Sequence, residues 1–256
     1  MPAINPPIKR AAVLIGASQV GSIHPEASPL PGVDLDIQRM RKFLHSDKGG
    51  AWESDEIHTI SNQDSSTIKN YLQRFFNFDY VFILVAGHGN HLIDTNDTQL
   101  VTQPGEYLGI KEMKTFARRQ VFVIDVCREL VAAKDLQKRA ALSAALNSMI
   151  YDSAFGIRQY CRDLFNQQIM QIPEGTYKFF SCDKNQLAED DGSGGVYTIA
   201  LLDVAINASQ TSNLRDVHNI TKSAVYRTSY PQLPTEEVGR TLSYPPFVVV
   251  PLFNRY

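Results

Sequence analysis

Two residues of the 256-residue chain stand where polar, chemically able side chains are least expected, because each comes directly after a run of apolar residues. His88 lies between Gly87 and Gly89 at the end of residues 80–86 (YVFILVA), and Cys127 follows residues 121–125 (VFVID) and Val126. In an open parallel sheet, catalytic groups and ligands gather beyond the carboxyl ends of the strands, where successive loops converge. If these two strands are neighbours, thiol and imidazole share one rim. Imidazole then takes the thiol proton or stabilises the thiolate, lowering a pKa that is ordinarily about 8.5 and giving a nucleophile at neutral pH. Gly89 leaves its N–H unobstructed, and the N–H of Cys127 lies at the adjacent strand end, so the two form a candidate oxyanion hole. The chemistry these residues suit is acyl transfer.

Each residue also has a plainer reading. A lone cysteine in a strand is usually a small hydrophobe, and a lone histidine is usually a polar group satisfied by its neighbours. Two at matched strand ends are harder to dismiss. Cys161, in a helical stretch, and Cys182, in a strand, fit the inert reading. Three cysteines in all favour free thiols, a reducing compartment and a cytoplasmic location over a disulfide framework. No pair of Cys or His residues has the close spacing of a structural zinc site. Gly192-Ser193-Gly194-Gly195 lacks the Lys-Ser/Thr of a phosphate-binding loop and is read as a flexible loop.

The elements that must hold these groups follow from periodicity. Buried strands are expected at 11–16, 55–60, 80–86, 121–125, 176–182 and 246–251, and helices at 34–46 (with Asp34 as cap), 65–76, 110–118, 196–209 and 214–227. Apolar β-branched runs alternating with helical patterns make the class α/β, with a parallel sheet covered on both faces. Residues 129–172 are helical in composition and too long for a simple crossover, so they read as an insert. No linker or repeat divides the chain, and one domain over 1–256 is expected. With 25 Lys+Arg against 27 Asp+Glu the formal charge is −2, which provides no footprint for nucleic acid or an anionic membrane. The first 15 residues lack the apolar length of a signal peptide, and no apolar run approaches the roughly 20 residues of a membrane span.

The ordered pair, Ala86-Gly87-His88-Gly89 and then Asp125-Val126-Cys127-Arg128, resembles the caspase and metacaspase superfamily of clan CD cysteine peptidases. Gly32-Val33-Asp34-Leu35-Asp36, Ser181-Cys182-Asp183, Gly194-Gly195-Val196-Tyr197-Thr198 and Tyr230-Pro231-Gln232-Leu233-Pro234 extend the likeness from about residue 11 to 251. His88 precedes Cys127 by 39 positions, against about 50 in caspases. The resemblance implies a caspase-haemoglobinase fold, a six-stranded mostly parallel sheet with helices on both faces, and an endopeptidase with Cys127 as nucleophile and His88 as general base and acid. Aspartate-cutting caspases use a basic residue where this chain has Leu30. Metacaspase-like pockets are acidic instead, and the corresponding positions here are Asp36 and Asp125, with Ala86 beside them, so cleavage after Arg, with Lys second, is expected. A blander alternative gives Asp36 only the role of charging a helix N-terminus.

Several further expectations come from the likeness alone. No cofactor is implied; calcium binding, which many metacaspases show, would fall to Asp94, Asp97 and Glu106. Residues 129–172 occupy the intersubunit-linker position, with self-cleavage expected at Lys134, Lys138, Arg139, Arg158 or Arg162. Arg128 matches the caspase pattern. Small stand-alone bacterial members act in immune or cell-death programmes on a protein partner such as a pore-forming effector. Two rivals remain: a caspase-like module that binds partners without turnover, and a doubly wound hydrolase or nucleotide-binding protein holding phosphate at 87–90 and 192–195.

Overall fold

The computed structural model describes residues 8–18, 29–103, 106–131, 155–190, 192–228 and 232–251. In chain order the elements are β1 (Arg10–Ala17), α1 (Pro31–His45), β2 (Ile57–Ser61), α2 (Ser65–Leu72), β3 (Tyr80–Gly87), β4 (Gly89–Leu92), β5 (Asp97–Gln103), β6 (Glu106–Gly109), β7 (Arg119–Val126), β8 (Leu130–Val131), α3 (Phe155–Gln171), β9 (Gly175–Phe180), α4 (Val196–Asn207), β10 (Ser212–Asn213), α5 (Leu214–Tyr226), β11 (Thr235–Glu237) and β12 (Pro246–Val248). Six strands form one sheet in the order β11-β9-β7-β3-β1-β2. All neighbours are parallel except β11, which runs antiparallel to β9.

Every residue of β1 and β3 is buried, as the unbroken apolar runs require of strands covered on both sides. Alternation divides their side chains between two cores. Ala12, Leu14, Phe82 and Leu84 face one side with Ile37 and Phe43 of α1, Phe165 of α3, Leu201 of α4 and Val217 of α5. Val13, Ile15, Ile83 and Val85 face the other with Ile68 and Leu72 of α2. That second face is completed by a small sheet, β6-β5-β4-β8, absent from the sequence reading. Its Leu100 and Leu108 are fully buried in the same core. The α3 helix is pinned to the rest through a charge cluster in which Arg162 donates to both oxygens of Glu56 (2.6 and 2.7 Å) and the buried Arg10 approaches the same carboxylate at 3.3 Å.

Five sequence expectations need correction. Residues 110–118 contain a single 3-10 turn at 110–112 rather than a helix. Gln120 Oε1 accepts from the N–H and hydroxyl of Thr115 (3.0 and 2.9 Å), and Phe116 has φ +56°, so side-chain bonding replaces the helical ladder. The sixth strand of the main sheet is Thr235–Glu237, not 246–251; Pro246–Val248 instead pairs with β10 in a two-stranded ribbon. Phe247 explains the apolar signal there, because it packs on Phe43 at 4.9 Å and Phe82 at 6.1 Å as core rather than sheet. Leu30, not Asp34, is the N-cap of α1, which starts early because Pro31 suits its first position. The β9 strand stops at Phe180, leaving Cys182 beyond it. Finally, Gly192–Gly195 is tied down rather than loose, as the site geometry makes plain.

Candidate active site

Strands β3 and β7 are hydrogen-bonded neighbours in parallel register, Ala86 opposite Asp125 and Gly87 opposite Val126. His88 and Cys127 therefore leave adjacent strands at the same level, on backbones about 4.8 Å apart. Both are half-buried. The glycines around His88 have steric reasons. Gly87 has φ +151°, and a Cβ at Gly89 would stand 2.6 Å from Gln99 O and 2.7 Å from Val126 Cβ. Val101 N–H donates to His88 O (2.9 Å), so His88 is the residue bonded across to β5 and the next N–H, that of Gly89, points to the opposite side. His91, two residues on, donates on that side to Glu129 O at 2.8 Å. The Gly89 N–H thus faces the chain that carries Cys127.

The expected depression of the thiol pKa is not what the structure produces. Burial pushes the Cys127 thiol up to about 12, and the Glu129, Asp125 and Glu189 carboxylates add to the rise. Its proton is directed at Ala188 O, 3.5 Å away. At rest Cys127 is a thiol, lying under the loop that follows β9. Arg128, next in the chain, is 2% exposed, its guanidinium 3.9 Å over the Phe180 ring and donating to Thr98 Oγ1 (3.0 Å), Cys182 O (3.1 Å) and Thr235 Oγ1 (3.1 Å). It clamps the small sheet, the end of β9 and β11 around Cys127.

On the same strand face as Cys127, two residues earlier, Asp125 is buried among other acids. Asp36 lies on α1, beyond its first turn and 1% exposed, so helix-terminal charge does not account for it. Asp36 Oδ2 accepts from Gly195 N–H (2.7 Å), and Asp125 Oδ2 accepts from the Thr198 hydroxyl (2.6 Å) and N–H (3.1 Å). The remaining oxygen of each, Oδ1, is buried and accepts no hydrogen bond. Asp190 closes the group; its Oδ1 accepts from Gly192 N–H at 2.6 Å. A Cβ at Gly32 would come within 2.5 Å of Asp190 Oδ2 and 2.7 Å of Gly194 N, while one at Gly194 or Gly195 would overlap the carboxylates of Asp36 and Asp125 respectively. Gly194 and Gly195 are therefore wedged between acids, which only residues without side chains permit.

Burial, then the neighbouring Asp125, holds Asp36 well above the usual carboxylate range. Burial also raises Asp125, with Asp190 adding to it; Thr198 pulls the other way, as does the nearby Ser181 hydroxyl, which lies outside hydrogen-bonding geometry. Among the described residues a cation adjoins the cluster: Arg39 stands 3.8 Å from Asp36 Oδ1 and donates to Ser193 O. Three crowded carboxyl groups, those of Asp36 and Asp125 each with an oxygen that accepts no hydrogen bond, suit a guest that brings positive charge and several N–H donors.

Among the remaining candidates, Ala86 is the register partner of Asp125 and 1% exposed, so its methyl contributes only packing beneath the acid. Asp97 accepts from Lys111 N–H at 3.3 Å and Glu106 accepts from Ser65 N–H at 3.0 Å, both committed to backbone. No cluster of three His, Cys, Asp or Glu suited to a metal ion occurs among the described residues. Cys161 and Cys182 are buried, as the inert reading requires. Arg158 and Arg162 lie within α3, donating to Trp52 O (2.7 Å) and to Glu56, which is poor geometry for scissile bonds; Lys134, Lys138 and Arg139 lie outside the described residues. Sequence reasoning missed Asp190, although its acidic setting, Glu189-Asp190-Asp191, was visible.

Comparison with known proteins identifies the family and the fold. The profile of the caspase domain family matches residues 9–243. Among solved structures, caspase-1 from Spodoptera frugiperda superposes with a TM-score of 0.58 at 12% identity, covering 90% of this chain and 86% of the caspase, a likeness of fold. No curated protein sequence matches. With a six-stranded sheet of that topology and a family match spanning nearly the whole described chain, the protein belongs to the caspase-domain family of cysteine peptidases.

Proposed function

We propose that the protein is a cysteine endopeptidase that cleaves after a basic residue, Arg over Lys, using Cys127 and His88. In this reading His88 takes the thiol proton as Sγ attacks the scissile carbonyl. The oxyanion is received by the N–H groups of Gly89 and Cys127, which typically contribute about 10²–10³ in rate per donor. The proton passes from His88 to the leaving amine, and His88 then activates the water that hydrolyses the thioester. Asp36, Asp125 and Asp190 take the P1 side chain. A guanidinium presents five N–H donors in a planar fork and an ammonium only three at a point, which favours Arg at a multi-carboxylate site.

The observation that supports the reading is the convergence of buried carboxyl groups at the strand tip bearing Cys127, with two oxygens that accept no hydrogen bond. Self-cleavage within 132–154, after Lys134, Lys138 or Arg139, and a role in an immune or cell-death programme acting on a protein effector belong to the same proposal. The test is a panel of fluorogenic peptides with Arg, Lys, Asp or Leu at P1, turned over by the wild type and by Cys127→Ala. Cleavage is expected in the order Arg, Lys and then little else, and none from the variant. Preference for Asp would overturn the pocket, surviving activity in Cys127→Ala would overturn the nucleophile, and no cleavage at all would favour the non-catalytic module.

A further inference from the structure

After β9 the chain crosses over Cys127 and brings two groups to the site: Ala188, whose carbonyl faces the thiol, and Asp190. The near part of this crossing, 183–186, is fastened to the nucleophile's own strand end. Arg128 N–H donates to Gln186 O (2.9 Å), and Asn185 N–H donates to Arg128 O (2.8 Å). The far part, where Ala188 and Asp190 sit, is held through the residue between them. Glu189 O accepts from Val196 N–H (2.8 Å), and Glu189 N–H donates to Gln232 Oε1 (3.3 Å).

The other half of the Gln232 amide, Nε2, donates to Ser181 O at 2.9 Å. Ser181 N–H is in turn bonded to Ile124 O (2.9 Å), one residue before Asp125. A single amide therefore spans from the sheet, at the level of one pocket acid, to the loop segment that carries another. Gln232 is 1% exposed. An aliphatic side chain of that size would fill the same space without desolvating an amide, so volume alone does not account for it.

We propose that Gln232 is a positioning residue: through Glu189 it sets how deep Asp190 sits in the P1 pocket and how closely the Ala188 carbonyl covers Cys127. It governs P1 selectivity without touching substrate, and in this it rests on the P1 reading above. The segment that bears it, 232–234, leads straight into β11, whose Thr235 accepts from Arg128. Edge strand, loop and nucleophile are thus joined through two buried side chains.

The test uses the full chain with Gln232→Leu, Asp190→Asn and the double variant, measured on matched peptides with Arg or citrulline at P1. Citrulline keeps the shape of Arg and loses its charge. Gln232→Leu is expected to lower the Arg-to-citrulline ratio of kcat/KM about tenfold, mainly through KM, but by less than about twofold when Asp190 is already Asn. Iodoacetamide labelling of Cys127, mapped by peptide mass, is expected to quicken severalfold as the Ala188 carbonyl loosens. Effects on the ratio that multiply in the double variant would overturn the proposal. So would a lowered melting temperature with ratio and labelling unchanged, the mark of a purely structural role. If Gln232→Leu does not fold, Gln232→Met is read by the same criteria. Should the wild type fail to distinguish Arg from citrulline, the P1 reading falls, and the labelling rate alone decides for or against Gln232.

Discussion

Gly195→Ala is a small change with a large expected consequence. The position caps α4 with φ −62° and ψ 128°, a conformation alanine adopts without strain, so the backbone raises no objection. The added Cβ would overlap Asp125 Oδ2 and stand 2.9 Å from Asp125 Cγ. Carbon atoms in contact prefer about 3.5–4.0 Å, so the carboxyl group or the loop must retreat by roughly 0.6–1 Å. Asp125 cannot swing aside cheaply, because Thr198 holds Oδ2 with two bonds of 2.6 and 3.1 Å. A displacement near 1 Å in a positioning group costs about 10²-fold in rate, or about 2.7 kcal/mol of transition-state stabilisation. Overpacking should also cost about 1–3 kcal/mol of stability. The assay is kcat/KM on an Arg-P1 peptide alongside a denaturant melt. Gly156→Ala is the control: nothing lies within 4 Å of its added Cβ in α3, and it should leave kcat/KM alone while stabilising by up to about 1 kcal/mol. Wild-type kcat/KM in Gly195→Ala would refute the assignment of Asp125 to the P1 pocket.

Two further outcomes follow from burial. Arg128→Met should destabilise by about 2–3 kcal/mol in denaturant melts, because Cys182 O, Thr98 and Thr235 lose a shared charged donor inside the fold; an unchanged midpoint would remove the clamp from the account. Asp36 is raised by folding, so the native state holds its proton to higher pH than the unfolded chain. Its contribution is intact below the unfolded value of about 3.9 and is lost as pH climbs toward the folded value, at about 1.4 kcal/mol per unit of separation. The stability of the wild type relative to Asp36→Asn should therefore fall as pH rises above about 4, and a flat difference would count against burial of an ionisable group there.

Much of this architecture was legible in the sequence, for identifiable reasons. The runs at 80–86 and 121–125 are apolar on both alternating faces, which only a central parallel strand requires, and each ends in a residue that a buried strand would not otherwise carry. That was enough to place His88 and Cys127 at the ends of two strands, which the structure makes neighbours. Local signals failed where a nearby side chain outvoted them. Thr115 and Gln120 dissolved a helix, the strand around Phe247 pairs with β10 and packs on the core rather than joining the main sheet, and β11, with Glu236 and Glu237, has no strand signature because ion pairs with Arg215 (2.7 Å) and Lys178 (3.5 Å) hold its acids.

Only tertiary structure could decide what surrounds those marks. Asp36, Asp125 and Asp190 come from a helix, a strand and a loop far apart in the chain, and their crowding is a property of α1, β7 and the α4 N-terminus meeting. A pKa likewise depends on what excludes water. Sequence placed a histidine near a cysteine and so foretold a lowered thiol, whereas the loop folded over Cys127 raises it. Residue order along one chain determines which strands are buried and what stands at their ends. Desolvation and charge summed over segments that meet only in the folded protein determine how those groups behave.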